Sequence, residues 1–241
     1  MTALTEAPYH EGPMLGFDLE TTGTDVFTDR IVTCSLVFKE SAAVESVRHS
    51  WLINPGVEIP EEASNVHGIT TDVVIAHGEN PEEALPQIKA VIQACATDHP
   101  GLSLVAFNAA FDLTLLQQEL DRYGEEPLAM SFPVIDPFVI DKQADKFRRG
   151  SRKLADVAAV YGIELDNAHD AEADVIAAMK IATRLPLKYP ALAVPGRVLH
   201  RWQVDWRATQ CASLQDYFRK KDPTAVVNGE WPIQTRQDAA A

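Results

Sequence analysis

Two carboxylates, Asp18 and Glu20, interrupt an otherwise apolar stretch that begins at Met14 and ends in a Thr-Thr-Gly turn. Because side chains alternate between the two faces of a strand, both acids lie on one face, with Cβ atoms about 7 Å apart. Burial disfavours a charged carboxylate unless a basic side chain, a proton or a cation compensates it. No Lys or Arg precedes Arg30, so a local basic partner is missing. This pattern therefore favours a divalent metal at the pair.

Three further polar motifs follow in the chain: Val-His-Gly-Ile-Thr at 66–70, Asn-Ala-Ala-Phe-Asp at 108–112 and His-Asp-Ala-Glu-Ala-Asp at 169–174. Each has an ordinary explanation when it is taken alone. Asp112 and Asp174 fall near predicted helix starts, where acids favour the helix dipole, and the first acid pair could lie on an exposed edge strand. Together these explanations require several coincidences, so we favour one functional site.

With these motifs in this order, residues 14–185 resemble the DnaQ-like 3′–5′ exonucleases, the family of the proofreading subunit of bacterial DNA polymerase III. The position of His169, five residues before Asp174, resembles that of the histidine in the branch of the family that combines a histidine with four acids. The other branch has a tyrosine at the position that Asp170 fills here. The resemblance implies a ribonuclease H-like fold, a phosphodiesterase site with two Mg²⁺ or Mn²⁺ ions, and release of nucleoside monophosphates from a 3′ end.

The resemblance also assigns roles to individual residues. The side chains with an implied catalytic role are Asp18, Glu20, Asp112, His169 and Asp174, of which the four acids would be metal ligands and His169 the general base. The residues with an implied role in holding the 3′ nucleotide are Thr21, Val66, His67, Asn108 and Phe111. Hard oxygen ligands suit Mg²⁺ or Mn²⁺ better than zinc, and an imidazole with a pKa of about 6.5 is suited to accept a proton from an attacking water. Val66 and Phe111 could equally be core residues.

Composition restricts the class of protein. The 241 residues include 35 acidic and 21 basic side chains, and the net charge of −14 argues against a protein that coats nucleic acid by neutralising phosphates. An enzyme that meets phosphates through metal ions and a local basic patch stays possible. The three cysteines are widely separated and indicate neither a disulfide framework nor a zinc site. Without a signal peptide or a long apolar run, we expect a cytoplasmic protein that does not bind membranes.

The pattern of apolar residues predicts an α/β fold with a mixed central β-sheet flanked by α-helices. Strands are expected within residues 14–23, before the Thr-Thr-Gly turn, and at 30–38, 44–53, 102–107 and 134–136, while residues 60–80 are expected to be irregular. Helices are expected from Pro81, between residue 108 and Gly124, over 154–161 and from Asp170, which would cap the last of them.

Prolines at 186, 190 and 195 divide the chain into an exonuclease domain, 1–186, and a C-terminal extension, 187–241. The extension would comprise a linker, an amphipathic helix over 198–221 and a tail, and we expect it to pack on the domain. Leu214, Tyr217 and Phe218 resemble a sliding-clamp peptide, but the glutamine is out of register. A DNA polymerase or a sliding clamp is therefore an open prediction for a partner.

Residues 142–153 carry six basic side chains and a single acid, Asp145. The window is either a solvated loop or a contact to the backbone of the substrate.

Three functions compete at this point. The first is a DNA 3′–5′ exonuclease that acts in replication, as a proofreader, or in DNA repair. The second is an RNA 3′-end trimmer, which differs in contacts to the 2′-hydroxyl rather than in catalytic residues. The third is a non-catalytic binding subunit, and the retained cluster of costly polar groups argues against it.

Overall fold

The computed structural model of the chain describes residues 6–40, 46–164 and 171–236. Within these ranges five strands form one sheet in the order β3-β2-β1-β4-β5. The strands are β1 (Met14–Thr21), β2 (Ile31–Lys39), β3 (Val47–Leu52), β4 (Ser103–Val105) and β5 (Val134–Ile135). β1 is antiparallel to β2 and parallel to β4, while β2 and β3 are antiparallel and β4 and β5 parallel. The predicted mixed sheet is thus confirmed.

Helices cover both faces of the sheet. They are α1 (Glu61–His67), α2 (Thr71–His77), α3 (Pro81–Asp98), α4 (Ala109–Arg122), α5 (Pro137–Ala144), α6 (Leu154–Val160), α7 (Ala171–Lys188) and α8 (Gly196–Phe218). One apolar core joins Leu15, Phe17 and Leu19 of β1 to α3 and α4. A second core on the opposite face joins the sheet to α5, α6 and α7, and Leu199 of α8 belongs to it. No helix in the described ranges is long and apolar enough to cross a membrane.

The prediction that residues 60–80 are irregular is wrong, because α1 and α2 lie there. Each of these helices has seven residues, and together they bury only Val74. A one-sided apolar pattern is therefore nearly absent from them. Pro60 and Gly68 bound α1 rather than interrupting it, and Gly68 has a left-handed conformation with φ 76°.

Pro186 does not begin a linker, because α7 continues to Lys188. A proline inside a helix removes the N–H that would bond to the carbonyl four residues earlier. Here that carbonyl, on Ala182, accepts a hydrogen bond of 2.6 Å from the hydroxyl of the buried Tyr9. A distant side chain thus replaces the missing intrahelical donor, and the predicted boundary at 186 falls within a helix.

Gly16 on β1 explains why α7 lies close to that strand. A Cβ atom on Gly16 would stand 2.4 Å from Val175 Cγ1 and 2.6 Å from Met179 Sδ. The absence of a side chain at Gly16 therefore lets α7 pack directly on the strand. This contact places the first turn of α7, which carries Asp174, beside the acidic half of β1.

We expect Gly16→Ala to lower the free energy of unfolding by about 1–3 kcal/mol, since the added methyl group overpacks the contact between β1 and α7. Gly12→Ala is the matched control, because its new Cβ would lie 3.8 Å from its nearest neighbours. Urea denaturation measures both variants. Equal stability of the two would show that α7 can move away from β1 at little cost.

Candidate active site

Asp18 and Glu20 lie on the central strand of the sheet, where they are half-buried. Phe17 and Leu19, which alternate with them, are buried in the core on the opposite face. The predicted alternation is therefore confirmed. β1 pairs with β4 only from Met14 to Gly16, although it pairs with β2 as far as Thr21. Both acids thus lie beyond the end of β4, at an edge where other groups can approach the strand.

Asp112 approaches this edge from the first turn of α4 and is 3% exposed. Its Oδ1 accepts a hydrogen bond of 3.1 Å from the backbone N–H of Leu19, the residue between the two strand acids. The carboxylate thereby takes the position of a strand partner past the end of β4. This single contact fixes the third acid against the first two.

The charges of the four acids influence one another. Burial raises the pKa of Asp18 well above its ordinary value, and the charges of Asp112, Glu20 and Asp174 raise it further. Burial also raises the pKa of Asp112, partly opposed by the Leu19 N–H, and the charges of Asp136 and Glu20 add to the rise. The group therefore resists full ionisation unless positive charge is supplied.

A divalent cation fits this donor chemistry, since carboxylate oxygens are the ligands that hard cations prefer. As positioned, however, no three His, Cys, Asp or Glu side chains among the described residues form a group that could hold an ion. His169 and Asp170, the predicted base and the predicted cap, lie outside the described residues.

Two cavities flank Glu20. One has a volume of about 470 Å³ and is lined by Glu20, Thr21, Pro60, Val66 and His67, among others. The other has a volume of about 410 Å³, and hydroxyl groups of β2 and β3 line it together with Glu20 and His67. The structure thus brings three of the five predicted nucleotide-binding residues, Thr21, Val66 and His67, to one cavity beside an acid.

His67 stands between the two cavities as a neutral imidazole. Burial lowers its pKa below the ordinary value, with a weaker opposing effect from the backbone of Thr21. Its Nδ1 accepts a hydrogen bond of 3.1 Å from the N–H of Ile69, so the ring proton resides on Nε2. The other ring nitrogen, Nε2, is buried and faces the backbone of Thr21.

Asn108 and Phe111 do not line either cavity. Asn108 is the N-cap of α4, with a left-handed backbone at φ 65° and ψ 46°, and Phe111 packs against the core on the α4 side. Their observed contacts set the start of α4, and their role in nucleotide binding stays a prediction.

Sequence reasoning missed the group that holds this turn in place. Asp136 is fully buried, and its carboxylate accepts hydrogen bonds from the N–H groups of Asn108 (2.9 Å) and Ala109 (3.0 Å). It also caps α5, by accepting from Phe138 N–H. The Asp-Pro pair at 136–137 is a helix-start signal that could have identified the cap, but nothing local indicates the contact to Asn108.

Two arginines of the basic window are already engaged. Arg148 and Arg152 both form ion pairs with the buried Asp141, the latter at 2.5 Å, and the Tyr161 hydroxyl donates to the same carboxylate at 3.0 Å. Both guanidinium groups therefore hold a buried carboxylate, and a contact of the basic window to phosphates stays a prediction. Arg149 is exposed.

Comparisons with known proteins agree with this geometry. A model of the exonuclease family matches residues 15–182. The chain is 29% identical over 170 residues to DNA polymerase III subunit epsilon of Treponema pallidum, covering 70% of this chain and 74% of that protein. It is 29% identical over 204 residues to a DNA polymerase III subunit epsilon-like protein of Rhodobacter capsulatus, covering 82% of this chain but only 27% of that one.

A solved structure of exonuclease I superposes with a TM-score of 0.65 at 22% identity, covering 76% of this chain and 42% of that chain. The Escherichia coli exonuclease I bound to a dT13 oligonucleotide gives 0.65 at 23% identity, with the same coverage. These likenesses confirm the ribonuclease H-like fold. The chain spans less than half the length of the exonuclease I chains.

Repulsion among the acidic side chains lowers the free energy of unfolding, so removal of one charge should raise it. Asp18→Asn should raise the free energy of unfolding at pH 7.5 in EDTA by roughly 0.5–2 kcal/mol, because an amide removes the buried charge. The folded pKa of Asp18 is raised, so the wild type loses stability as the pH rises from the ordinary value of an aspartate through the folded value. The gain should therefore shrink as the pH is lowered.

Urea denaturation at several pH values measures this effect, with Asp121→Asn on the exposed face of α4 as the control. A variant less stable than the wild type at pH 7.5 would contradict the assigned repulsion.

Proposed function

This chain belongs to the exonuclease family, and from that premise we propose that it hydrolyses phosphodiester bonds at DNA 3′ ends and releases nucleoside 5′-monophosphates. The observation that carries the proposal is the acidic group on β1, α4 and α7 beside a cavity of nucleotide size. Buried carboxylates that repel one another are stabilised by a bound cation. Phosphodiester hydrolysis by this family would use such a cation.

Asp18, Glu20, Asp112 and Asp174 would hold two Mg²⁺ or Mn²⁺ ions. Such ions, when bound, stabilise the charge that develops on the attacking and leaving oxygens of an in-line displacement. The raised pKa values of Asp18 and Asp112 support this role, because a bound cation favours the ionised carboxylates that burial and mutual repulsion disfavour. The hydrogen bond from Leu19 N–H to Asp112 would keep one ligand oxygen in a fixed position.

His169 would accept the proton of the attacking water. Its place five residues before Asp174 in the sequence supports this assignment, which the resemblance to the histidine branch of the family implies. An imidazole near its ordinary pKa is partly neutral at physiological pH and can act as a base.

The cavity lined by Thr21, Val66 and His67 would receive the terminal nucleotide. Val66 is 51% exposed on α1, so an apolar surface is available to a base or a sugar. His67 would line this cavity as an uncharged side chain. Asn108 and Phe111, at the start of α4, would also contact the terminal nucleotide.

Two observations favour DNA over RNA as the substrate. The Treponema relative is named as a DNA polymerase subunit, and a structural neighbour is named as bound to a DNA oligonucleotide. A polymerase or a sliding clamp would be a further partner, and Leu214, Tyr217 and Phe218 are exposed on α8 where such a protein could bind.

The test uses a 3′-labelled single-stranded DNA, a mismatched duplex and an RNA of the same sequence, each with Mg²⁺, Mn²⁺ or EDTA. We expect metal-dependent release of mononucleotides from DNA, and a loss of at least about a thousandfold in Asp18→Ala. Faster cleavage of RNA would reassign the substrate. Activity that survives EDTA or Asp18→Ala would contradict the metal-dependent mechanism.

A separate pair of variants tests the base. His169→Ala should lower kcat by about 10²–10⁴-fold, the usual contribution of general base catalysis, while its Mn²⁺ affinity stays near that of the wild type. Asp170→Ala, the neighbouring control, should remove only a helix cap and leave kcat within a few fold. Equal losses in both variants would contradict the role of His169.

A further inference from the structure

We propose that Asp136 is a positioning residue that links the C-terminal tail to the turn carrying Asp112, so that the tail forms part of the active-site scaffold. The link itself stands on contacts within the chain. Its consequence for hydrolysis rests on the proposed function.

On the active-site side, Asp136 holds the entry to α4. Asn108 and Ala109 donate to its two carboxylate oxygens at 2.9 and 3.0 Å. Asn108 is the one residue other than glycine with a positive φ among the described residues. Such conformations persist only where the surroundings over-determine them, and here the carboxylate does so. Three residues after Ala109, Asp112 bonds to Leu19 of β1.

On the other side, two groups of the C-terminal extension bind Asp136. The indole N–H of Trp231 donates to its Oδ2 at 3.2 Å, and the Trp231 side chain is buried beside His200, with ring centroids 4.9 Å apart. Gln203, fully buried on α8, accepts the backbone N–H of Asp136 at 2.7 Å and donates to the Val134 carbonyl at 2.9 Å. The extension therefore fixes both the side chain and the backbone of Asp136.

The tail reaches α4 by a second route. The backbone N–H of Gln234 donates to Thr114 Oγ1 at 2.8 Å, and that hydroxyl donates in turn to the Ala110 carbonyl. Thr114 lies two residues after Asp112 on the same helix. The tail thus contacts the helix that carries the acid directly as well as through Asp136.

Asp136 accepts hydrogen bonds from several segments, so removal of one donor should affect the others. Backbone and indole N–H groups from three separate segments converge on one buried carboxylate. The loss of one donor to a buried carboxyl group leaves its oxygen incompletely compensated. The Asn108 turn should then loosen, and Asp112 with it.

Trp231→Phe tests the link, because it removes the indole N–H and keeps a buried aromatic ring. Ile233→Ala is the matched control: Ile233 packs against the same core from the tail but has no bond to Asp136. The first readout is hydrogen exchange at the amides of Asn108 and Ala109, measured relative to the amides of β2. We expect about tenfold faster relative exchange in Trp231→Phe and no relative change in Ile233→Ala.

The second readout is exonuclease kinetics on a short single-stranded DNA with Mg²⁺. We expect Trp231→Phe to lower kcat about tenfold with KM within about twofold, and Asp136→Asn to lower kcat about a hundredfold, because a small displacement of a ligand costs rate rather than binding. Ile233→Ala, although less stable, should retain the wild-type kcat at a temperature where it is fully folded.

Unchanged relative exchange in Trp231→Phe, or an equal change in Ile233→Ala, would overturn the link. Faster exchange with an unchanged kcat would overturn the positioning role. A wild type without nuclease activity whose Asn108 and Ala109 amides still respond to Trp231→Phe would support the link and refute the proposed function instead.

Discussion

The repulsion among four carboxylates gathered at one end of a central strand is the constraint on which the rest of the structure depends. Burial and mutual charge raise the pKa of Asp18, so the group would separate if the scaffold allowed it. Two packing features oppose that separation. A glycine at position 16 lets α7 lie against β1, and the hydrogen bond from Leu19 to Asp112 holds α4 at the same edge. The fold thereby keeps a costly group of acidic side chains in place.

The sequence predicted those parts of the site that depend on local patterns. Alternation along one strand identified Asp18 and Glu20, because residues two apart lie on the same face of any β-strand. Acids in the first turns of two helices could also be recognised. The remainder depends on contacts that are distant in the chain: no local signal shows that Tyr9 would satisfy the carbonyl freed by Pro186. The short helices at 60–80 were missed because they bury almost nothing.

The C-terminal extension, expected as a linker, a helix and a tail packed on the domain, contacts the core along much of its length. α8 begins at Gly196, whose added Cβ would stand 2.6 Å from Ser103 Oγ of β4, so the helix starts in direct contact with the sheet. Leu199, Gln203 and Cys211 of α8 are buried, and Trp231 enters the core that contains α4. The matched family region ends at residue 182, yet Trp231, which donates to the buried Asp136, lies beyond it. The nuclease core and its extension are therefore one physical unit in the described part of the chain.

The most direct test of the central claim is a calorimetric titration of Mn²⁺ into the wild type, Asp112→Asn and the exposed control Asp121→Asn. The asparagine at 112 can still accept the Leu19 N–H and removes only the charge. If the acids form a group that a cation compensates, the wild type and the control bind Mn²⁺ alike, and Asp112→Asn binds it at least about tenfold more weakly. Equal affinity in all three proteins, or no binding to the wild type, would contradict the account.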